Sequence, residues 1–488
     1  MESVNNHDWT INTINAYEST TEILKEAAKE FGWNVVSTIC EKDQDNDKCI
    51  YWGNIQSIKH IDKGYYTNHG CNVVNNIPGF AVVEKKVDTT LALRTMSKLF
   101  LGHFDFYPQT WIFPHEMKEM PNVGNHAGIS VPSYVYKPDH ECRGNGIKFF
   151  NDPALLEEIT KDTPAVVQKY IETPLLWNGY KFDIRSFFVI MSLKPLEIYY
   201  AKGSFCRLCA IRYDVDNFSD TSQHLSNFSV NNKEGKFDPA RCKSLLEMKQ
   251  MLKQNGHDAD EVERKIVISS LKAIIAVIPD LMVWQNAMTG RENTKSFQII
   301  GVDTMVTSDL EVKFIEMNEP RIRSYYPTLE GGRESRLFLQ PVAEIAFNLH
   351  RDLLKILTEP NCKETSFLEK VFPASRDNQY IDDEDYKRFV CNDVLVVCKA
   401  AELFNKFNKK RSLTIDLDSF QSLMAYLSID DLDDVTALYK TKLRKWKTYL
   451  HYVTKFADCN YHEELSFQGF MELLLELFSG RILRQKLS

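Results

Sequence analysis

The stretch that decides the fold reads Val166-Val167-Gln168-Lys169-Tyr170-Ile171-Glu172-Thr173-Pro174-Leu175-Leu176-Trp177-Asn178-Gly179-Tyr180-Lys181-Phe182-Asp183-Ile184-Arg185. Alternate side chains of a strand share a face, so Lys181, Asp183 and Arg185 lie on one side and Phe182 and Ile184 on the other. One reading is a solvated charge ladder. The run that follows, Phe187-Phe188-Val189-Ile190-Met191, instead has the pattern of a central strand that carries its charges into a cleft. Arg207 and His224-Leu225-Ser226-Asn227 add polar groups from neighbouring segments.

Further along, Gly301-Val302-Asp303 and Phe314-Ile315-Glu316-Met317-Asn318 flank Thr307-Ser308-Asp309-Leu310, a turn composition. Glu316 and Asn318 share a face. A hairpin folded about Ser308-Asp309 sets Asp303 opposite Phe314, on that same face, and three oxygen donors converge. Such donors suit magnesium shared with substrate phosphates; the other reading is a solvated polar face. Asp and Asn are poor strand residues, and the neighbouring Ile299, Val302, Phe314, Ile315 and Met317 are apolar.

Upstream, Tyr136-Lys137-Pro138-Asp139-His140-Glu141-Cys142-Arg143-Gly144-Asn145-Gly146-Ile147 sets a lysine after a strand and then a Gly-x-Gly loop. The ammonium can balance phosphate charge, and the glycines allow close backbone N–H approach. The spacing matches neither a Walker A loop nor a dinucleotide fingerprint. Alone, it reads as a turn.

With 488 residues, 43% of them hydrophobic, the chain can bury a large core and make about three domains. A formal net charge of −8 disfavours bulk nucleic-acid binding, so an acidic partner has to be held by a local basic patch. The polar start MESVNNHDWT predicts no secretory leader. No run approaches about 18 uninterrupted apolar residues, which predicts no membrane span. Eleven scattered cysteines, without the density of a secreted scaffold, favour a reduced cytosolic setting.

The pattern predicts an α/β (α+β) protein in parts. Residues 1–75 form a small α/β unit with one helix, ESTTEILKEAAKEFGW, capped by Ser19 or Thr20. Residues 76–180 form a central domain, and 181–358 a strand-rich domain with a helical stretch near 240–278 and a polar loop at Gly290–Lys295. The turn-rich 359–380 reads as a linker and 381–488 as helical.

In order and spacing, these blocks resemble the tubulin tyrosine ligase-like family of ATP-grasp ligases. The resemblance runs from about Trp52 to about Leu349 and takes in Val74-Asn75-Asn76-Ile77-Pro78-Gly79, YPQTWIFPHE, KPDHECRGNGI, VVQKYIETPLLWNGYKFDIR, RLCAIRY, HLSNFSV and the GVD and FIEMN pair. It implies that Lys86 and Lys137 hold ATP phosphates beneath the loop of Arg143, Gly144 and Gly146. Gln168, Lys169, Tyr170 and Ile171 would line the adenine pocket, with Lys181 and Asp183 as nucleotide contacts. Arg185 and Arg207 would face the γ-phosphate and substrate carboxylates, with Asn227 beside them, and Asp303, Glu316 and Asn318 would hold Mg2+. The implied activity adds free glutamate to glutamate side chains of the acidic C-terminal tails of tubulin through an acyl phosphate, in the cytoplasm on the cytoskeleton, the cilium or the basal body. Glutamate rests on family frequency alone; a glycine or tyrosine ligase, or a non-catalytic microtubule-binding relative, are the alternatives. Arg321, Arg323, Arg333 and Arg336 are candidates for acceptor binding, with ordinary surface arginines as the other reading. The sequence departs from the family pattern at Asn318-Glu319-Pro320 (one residue short), Lys85, Ala210 and Asn232. Those changes bear on acceptor or amino-acid choice more than on ATP.

Within 381–488, two segments look like degenerate EF-hands. The first counts from Asn408, with Lys410 and Ser412 in the ligand series. The second counts from Asp458, with Asn460, His462 and Leu465, but has Glu463 at the sharp-turn position and Gly469 where a bidentate glutamate belongs. Calcium binding is therefore expected to be weak or absent, and an unrelated helical bundle is the alternative. The basic run KTKLRKWKTYLHYVTK reads either as a face for acidic tails or as solvated charge.

Overall fold

A computed structural model of the chain describes residues 9–37, 48–53, 73–121, 134–150, 156, 159, 163–215, 217, 220–227, 230, 238–288, 295–320, 340–359, 361–374, 378–381, 394–410, 412–427, 436–442 and 464–478. Arg321, Arg323, Arg333, Arg336, Asn232, Asp458, Asn460, His462, Glu463 and most of the basic run from Lys440 lie outside the described residues.

The N-terminal unit holds β1 (Thr10–Asn12), α1 (Glu18–Lys29), β2 (Asn34–Val36), β3 (Cys49–Tyr51) and β4 (Val73–Asn75), its strands paired in parallel. Ile23, Leu24, Ala27 and Ala28 are the buried apolar side of α1, the spacing an amphipathic helix requires. The helix starts at Glu18 with Tyr17 as its cap residue and no side-chain cap bond, so neither Ser19 nor Thr20 caps it. Gly79 leads into α2 (Phe80–Val83) and α3 (Lys86–Leu99) at φ +86°, and a Cβ there would lie 2.2 Å from Trp284 Cγ. Only glycine meets both conditions.

Next come β5 (Thr110–Phe113), β6 (Tyr134–Pro138), β7 (Lys148–Phe150) and β8 (Ala165–Lys169), an antiparallel sheet in the order β5-β8-β6-β7. The body follows as β9 (Leu176–Trp177), β10 (Tyr180–Leu193), β11 (Leu196–Leu208), β12 (Cys242–Ser244), α4 (Leu245–Gln254), α5 (Ala259–Met288), β13 (Lys295–Val306) and β14 (Val312–Asn318). β10 is central, between β11 and β13. β13 pairs in parallel with β4 at Lys295–Phe297 and antiparallel with β10 and β14 further on, so one sheet of eleven strands joins the N-terminal unit to the body.

The chain ends through α6 (Gln340–Thr358), β15 (Leu368–Phe372), α7 (Val394–Phe407), β16 (Thr414–Ile415), α8 (Leu417–Tyr426), β17 (Leu465–Ser466) and α9 (Phe467–Leu477). The result is a mixed α/β protein. The segment expected to be a linker, 359–380, contains β15, which pairs antiparallel with β11 and buries Leu368, Val371 and Phe372. Turn residues on both sides mask this short strand in the sequence.

Both faces of the large sheet are covered, which explains the unbroken apolar run in β10. Phe188 and Ile190 join the core around α5, and Phe187 and Val189 the core beneath α1 and α6. α5 is long and apolar enough to cross a membrane by length and composition, but most of that apolar stretch is buried inside this fold. Phe404, Phe420 and Phe470 of the C-terminal helices belong to the same core as Ile274 and Ile278 of α5.

A polar clasp fixes α9 to that body. Gln468 donates from Nε2 to Asp280 Oδ2 at 2.7 Å and accepts at Oε1 from Thr95 Oγ1 at 2.9 Å, bridging α5 and α3. Nearby, Asp88 Oδ2 is buried without a hydrogen-bond partner. Burial first, then Asp139, pushes the Asp88 carboxyl up to about 8, and burial pushes Asp280 up to about 7. Both values exceed the unfolded-chain value of 3.8. The stability they contribute is therefore complete below that value and is lost as pH rises through 7 and 8. Asp88→Asn is expected to raise the melting temperature by several degrees at pH above 8 and to leave it unchanged near 3.8. Thermal melts at the two pH values check this; an equal shift at both would refute it.

Candidate active site

A cleft of about 880 Å³, open to solvent, is lined by side chains from both sheets. Of the residues singled out from the sequence, Lys86, Lys137, Arg143, Gly144, Gln168, Lys169, Tyr170, Ile171, Lys181, Asp183, Asn227, Asp303 and Glu316 line it. Gly146, Arg185, Arg207 and Asn318 do not, although the last three share a sheet face with residues that do.

That face is a lattice of paired charges. In register, Arg207 lies opposite Asp183 and Arg185 opposite Asp303. Arg207 Nε donates to Asp183 Oδ1 at 2.7 Å, and its Nη2 donates to Asp183 Oδ2 at 2.5 Å and to Asp303 Oδ2 at 2.8 Å. Arg185 grips Asp303 with Nε on Oδ1 and Nη2 on Oδ2, the latter at 2.7 Å. All four side chains are buried. Burial alone would push the Asp303 carboxyl up, but the two guanidiniums outweigh it and hold it below the usual carboxylate value. Gly301 makes room for this: a Cβ there would come within 3.1 Å of the Arg185 guanidinium.

Asp303 lies opposite Glu316, not Phe314 as the simple hairpin would have it. Pairing runs in register from Val306↔Val312 to Thr304↔Phe314, and a bulge before Asp303 then leaves Ile315 unpaired. One extra residue re-aims the strand. It brings the two carboxylates directly across from each other, with Asn318 next on the same face. Asn318 Nδ2 donates to Glu316 Oε1 at 3.2 Å. Among the described residues no three His, Cys, Asp or Glu side chains form a ready metal cluster. Two carboxylates and a carboxamide nonetheless make a hard oxygen donor set, which fits magnesium that completes its shell with phosphate and water.

The opposite wall supplies cations. Lys137 on β6 donates to Gln168 Oε1 at 2.8 Å, and Gln168 Nε2 is braced on Thr110 Oγ1 at 2.9 Å. Lys86, the first residue of α3, donates to the Glu141 carbonyl at 2.9 Å and ties the helix start to the loop. Asp139 Oδ1 accepts from Val87 N at 2.9 Å, satisfying an orphan donor of that helix. In the loop, Arg143, Gly144 and Gly146 all have positive φ. A Cβ on Gly144 would lie 2.9 Å from Val230, and one on Gly146 2.8 Å from Pro138. Gly144 thus lets the loop close over the segment that carries Asn227, and Gly146 lets it close on Pro138. Burial, with Lys86 and Lys181 adding to it, pulls Lys137 down to about 8 against the opposing charge of Glu316. Burial also pulls Lys181 down to about 8. Chemically, the cleft combines four lysine ammonium groups, those of Lys86, Lys137, Lys169 and Lys181, with the Asp303–Glu316 pair of carboxylates, an arrangement able to hold polyphosphate and a divalent cation together.

Residues 65–336, more than half of the chain, match the tubulin-tyrosine ligase family. The chain belongs to that family. Tubulin polyglutamylase TTLL11 of Mus musculus is 35% identical over 304 residues, covering 58% of this chain and 42% of the relative. The Homo sapiens protein of the same name is 32% identical over 350 residues, covering 67% and 48%. A probable beta-tubulin polyglutamylase of Tetrahymena thermophila is 28% identical over 259 residues, covering 50% and 21%. This family member spans about half the length or less of the curated relatives it matches.

Some features of this ligase-family site are absent from the sequence-based expectation. Cys206-Arg207-Leu208-Cys209 has CxxC spacing, which the scattered-cysteine reading overlooks. Three apart in and just beyond a strand, the two thiols point to opposite faces; both are free and buried. Burial pushes Cys209 up to about 12 and Cys206 well above its ordinary value, which leaves both thiols inert. Phe149, Met305 and Ile315 also line the cleft, as does His224, which the sequence offers only as a nearby polar group. Only the polar cluster around His224 offers a signal in the sequence.

Proposed function

We propose that the chain is an ATP- and magnesium-dependent ATP-grasp ligase that adds glutamate to glutamate side chains of tubulin C-terminal tails. The observation that carries this is the cleft that brings Lys86, Lys137 and Lys181 together with the Asp303–Glu316 pair. The names of the relatives favour glutamate and tubulin. In this reading, residues 1–75, 76–180 and 181–358 are the three parts of the ligase, and the protein works in the cytoplasm on microtubules, including those of cilia.

ATP would supply the phosphoryl group that makes the acceptor carboxylate a good acyl donor, as an acyl phosphate, and magnesium the charge that holds the phosphates. Lys86 and Lys137 balance phosphate charge from the wall, and the loop at Gly144 and Gly146 brings backbone N–H groups close. Gln168, Lys169, Tyr170 and Ile171 border the base, with Lys181 and Asp183 beside them. Glu316, Asn318 and Asp303 are the metal's oxygen donors. Arg185 and Arg207 set the position of Asp303 and lend positive charge to the end where carboxylates react, next to Asn227. No covalent nucleophile is required by this chemistry.

The test is to incubate the purified chain with microtubules, Mg-ATP and each amino acid separately, and to read tubulin by intact mass. A ladder of glutamate increments is expected. Increments of glycine or tyrosine alone would overturn the donor, and microtubule binding without any increment would make the chain a non-catalytic binder.

The same reading takes 381–488 as a helical appendage built on a degenerate EF-hand pair. Its support is the pairing Ile415↔Leu465: each residue is eighth in its loop, counting from Asn408 and Asp458. Lys410, third in the first loop, bridges Glu464 at 2.7 Å and Asp416 at 3.2 Å. An ammonium thus occupies the third loop position, where a calcium ligand belongs, and pairs with Asp416 at the ninth, while Ser419 stands where a bidentate glutamate belongs. Millimolar calcium is expected to leave the melting temperature unchanged; a rise of several degrees would show a working calcium site.

A further inference from the structure

We infer that His224 and Tyr170 are positioning residues: together they hold the Lys181 ammonium and aim its remaining N–H into the cleft. This rests on reading the cleft as a nucleotide site.

The argument starts from Lys181, which is only 4% exposed although it carries a charge. Its Nζ donates to Tyr170 Oη at 2.8 Å and to the His224 carbonyl at 2.9 Å. An ammonium has three N–H groups; two are spent on the described residues, and one is left for the cleft that Lys181 lines. Tyr213, whose hydroxyl donates to the Glu172 carbonyl at 2.9 Å, is a second hydrogen-bond partner of the Tyr170 hydroxyl; the direction toward His224 follows from the His224 tautomer. His224 Nε2 lies 2.8 Å from the Asn217 carbonyl, which can only accept, so Nε2 carries the proton. In the neutral ring Nδ1 is then a lone pair, and Tyr170 Oη at 2.8 Å donates to it. Burial, helped by the charge of Lys181, keeps the imidazole neutral, and burial keeps the phenol protonated. With its proton directed to Nδ1, the phenol oxygen turns its lone pairs to Lys181. Such a chain polarises each bond in one sense.

Packing holds the relay in place. Phe149 lies 5.0 Å from the His224 ring and 5.5 Å from the Tyr170 ring, and Tyr213 lies 5.7 Å from His224. Asp183 and Cys209 face Lys181 from β10 and from just beyond β11, and Lys137 faces it from β6. Asp214 and Asp220 face His224 from its own side of the fold. Of all these groups, only the phenol oxygen and the His224 carbonyl bond to the ammonium.

The test measures the affinity of the full chain for a non-hydrolysable ATP analogue across neutral and alkaline pH. Lys181 is charged below its value of about 8, so the binding it contributes is lost as pH rises through that value. Tyr170→Phe keeps the ring contacts but removes an acceptor of the charged form, so Lys181 releases its proton at lower pH. The variant is expected to bind the analogue about three- to tenfold more weakly at neutral pH, with its alkaline loss beginning earlier. His224→Ala moves both in the same direction by less. His224→Asn, whose Oδ1 can stand near Nδ1 as an acceptor, is expected to restore them. Wild-type affinity and an unmoved alkaline loss in Tyr170→Phe would overturn the relay while leaving the nucleotide reading intact. Failure of the wild-type chain to bind the analogue at any pH would overturn both.

Discussion

Glu316→Gln is expected to lower ligase turnover by about a thousandfold or more and to leave the melting temperature at the wild-type value. Asp303→Asn is expected to abolish turnover and destabilise the fold as well. The difference lies in what each carboxylate touches. Glu316 is half-buried at the cleft, and Asn318 Nδ2 donates to its Oε1 at 3.2 Å. Glutamine preserves that acceptor and loses only the charge proposed to hold the metal. Asp303 is gripped by Arg185 and Arg207, all three buried. An asparagine there removes one of the two carboxylates that balance the two guanidiniums, leaving Asp183 on Arg207 as the remaining counter-charge, and breaking such a buried pair costs about 3–5 kcal/mol. Denaturant unfolding and single-turnover assays on the two variants separate the effects. Normal turnover in Glu316→Gln would sink the metal assignment, and wild-type stability in Asp303→Asn would show that the arginines find other partners.

The site is legible in the sequence where it depends on local alternation. Lys181, Asp183 and Arg185 share a face because a strand permits nothing else, and the apolar run behind them requires cover on both sides, which α1, α5 and α6 provide. Spacing cannot reveal a bulge. Ile315 looks like any other strand residue in FIEMN, yet its exclusion from the ladder is what sets Glu316 across from Asp303. The lattice of Arg207, Asp183, Arg185 and Asp303 also exceeds what alternation can say. It needs the strand order β11-β10-β13, which is fixed by pairing between segments about a hundred residues apart. For the same reason β15 passes for a linker, and the bridge from Gln468 to Asp280 and Thr95 is invisible until α9 packs against α3 and α5. Polar residues at such contacts carry no periodic signature, because each has one partner and that partner is distant.

Nucleotide affinity is expected to fall steeply above pH 8, by up to about a hundredfold for each pH unit. Two lysines of the cleft, Lys137 and Lys181, are both pulled down to about 8 by burial. Each is charged below that value and neutral above it. A nucleotide held by both must therefore restore two protons as pH rises, and each proton contributes a tenfold loss per unit. The lowered values have a use: a buried ammonium that is costly to keep charged in the empty cleft gains all the more when an anion arrives. Lys137→Met would remove one of the two, weakening binding at neutral pH and halving the logarithmic slope above pH 8. The companion change Lys86→Met, at a lysine tied to the Glu141 carbonyl, is expected to weaken binding without altering that slope. Titrating the affinity for an ATP analogue against pH in the three proteins gives slopes that are directly comparable. A wild-type slope of one would mean that only a single buried lysine meets the phosphates. An unchanged slope in Lys137→Met would move the phosphate site away from β6 and toward the Gly144 loop and Lys86.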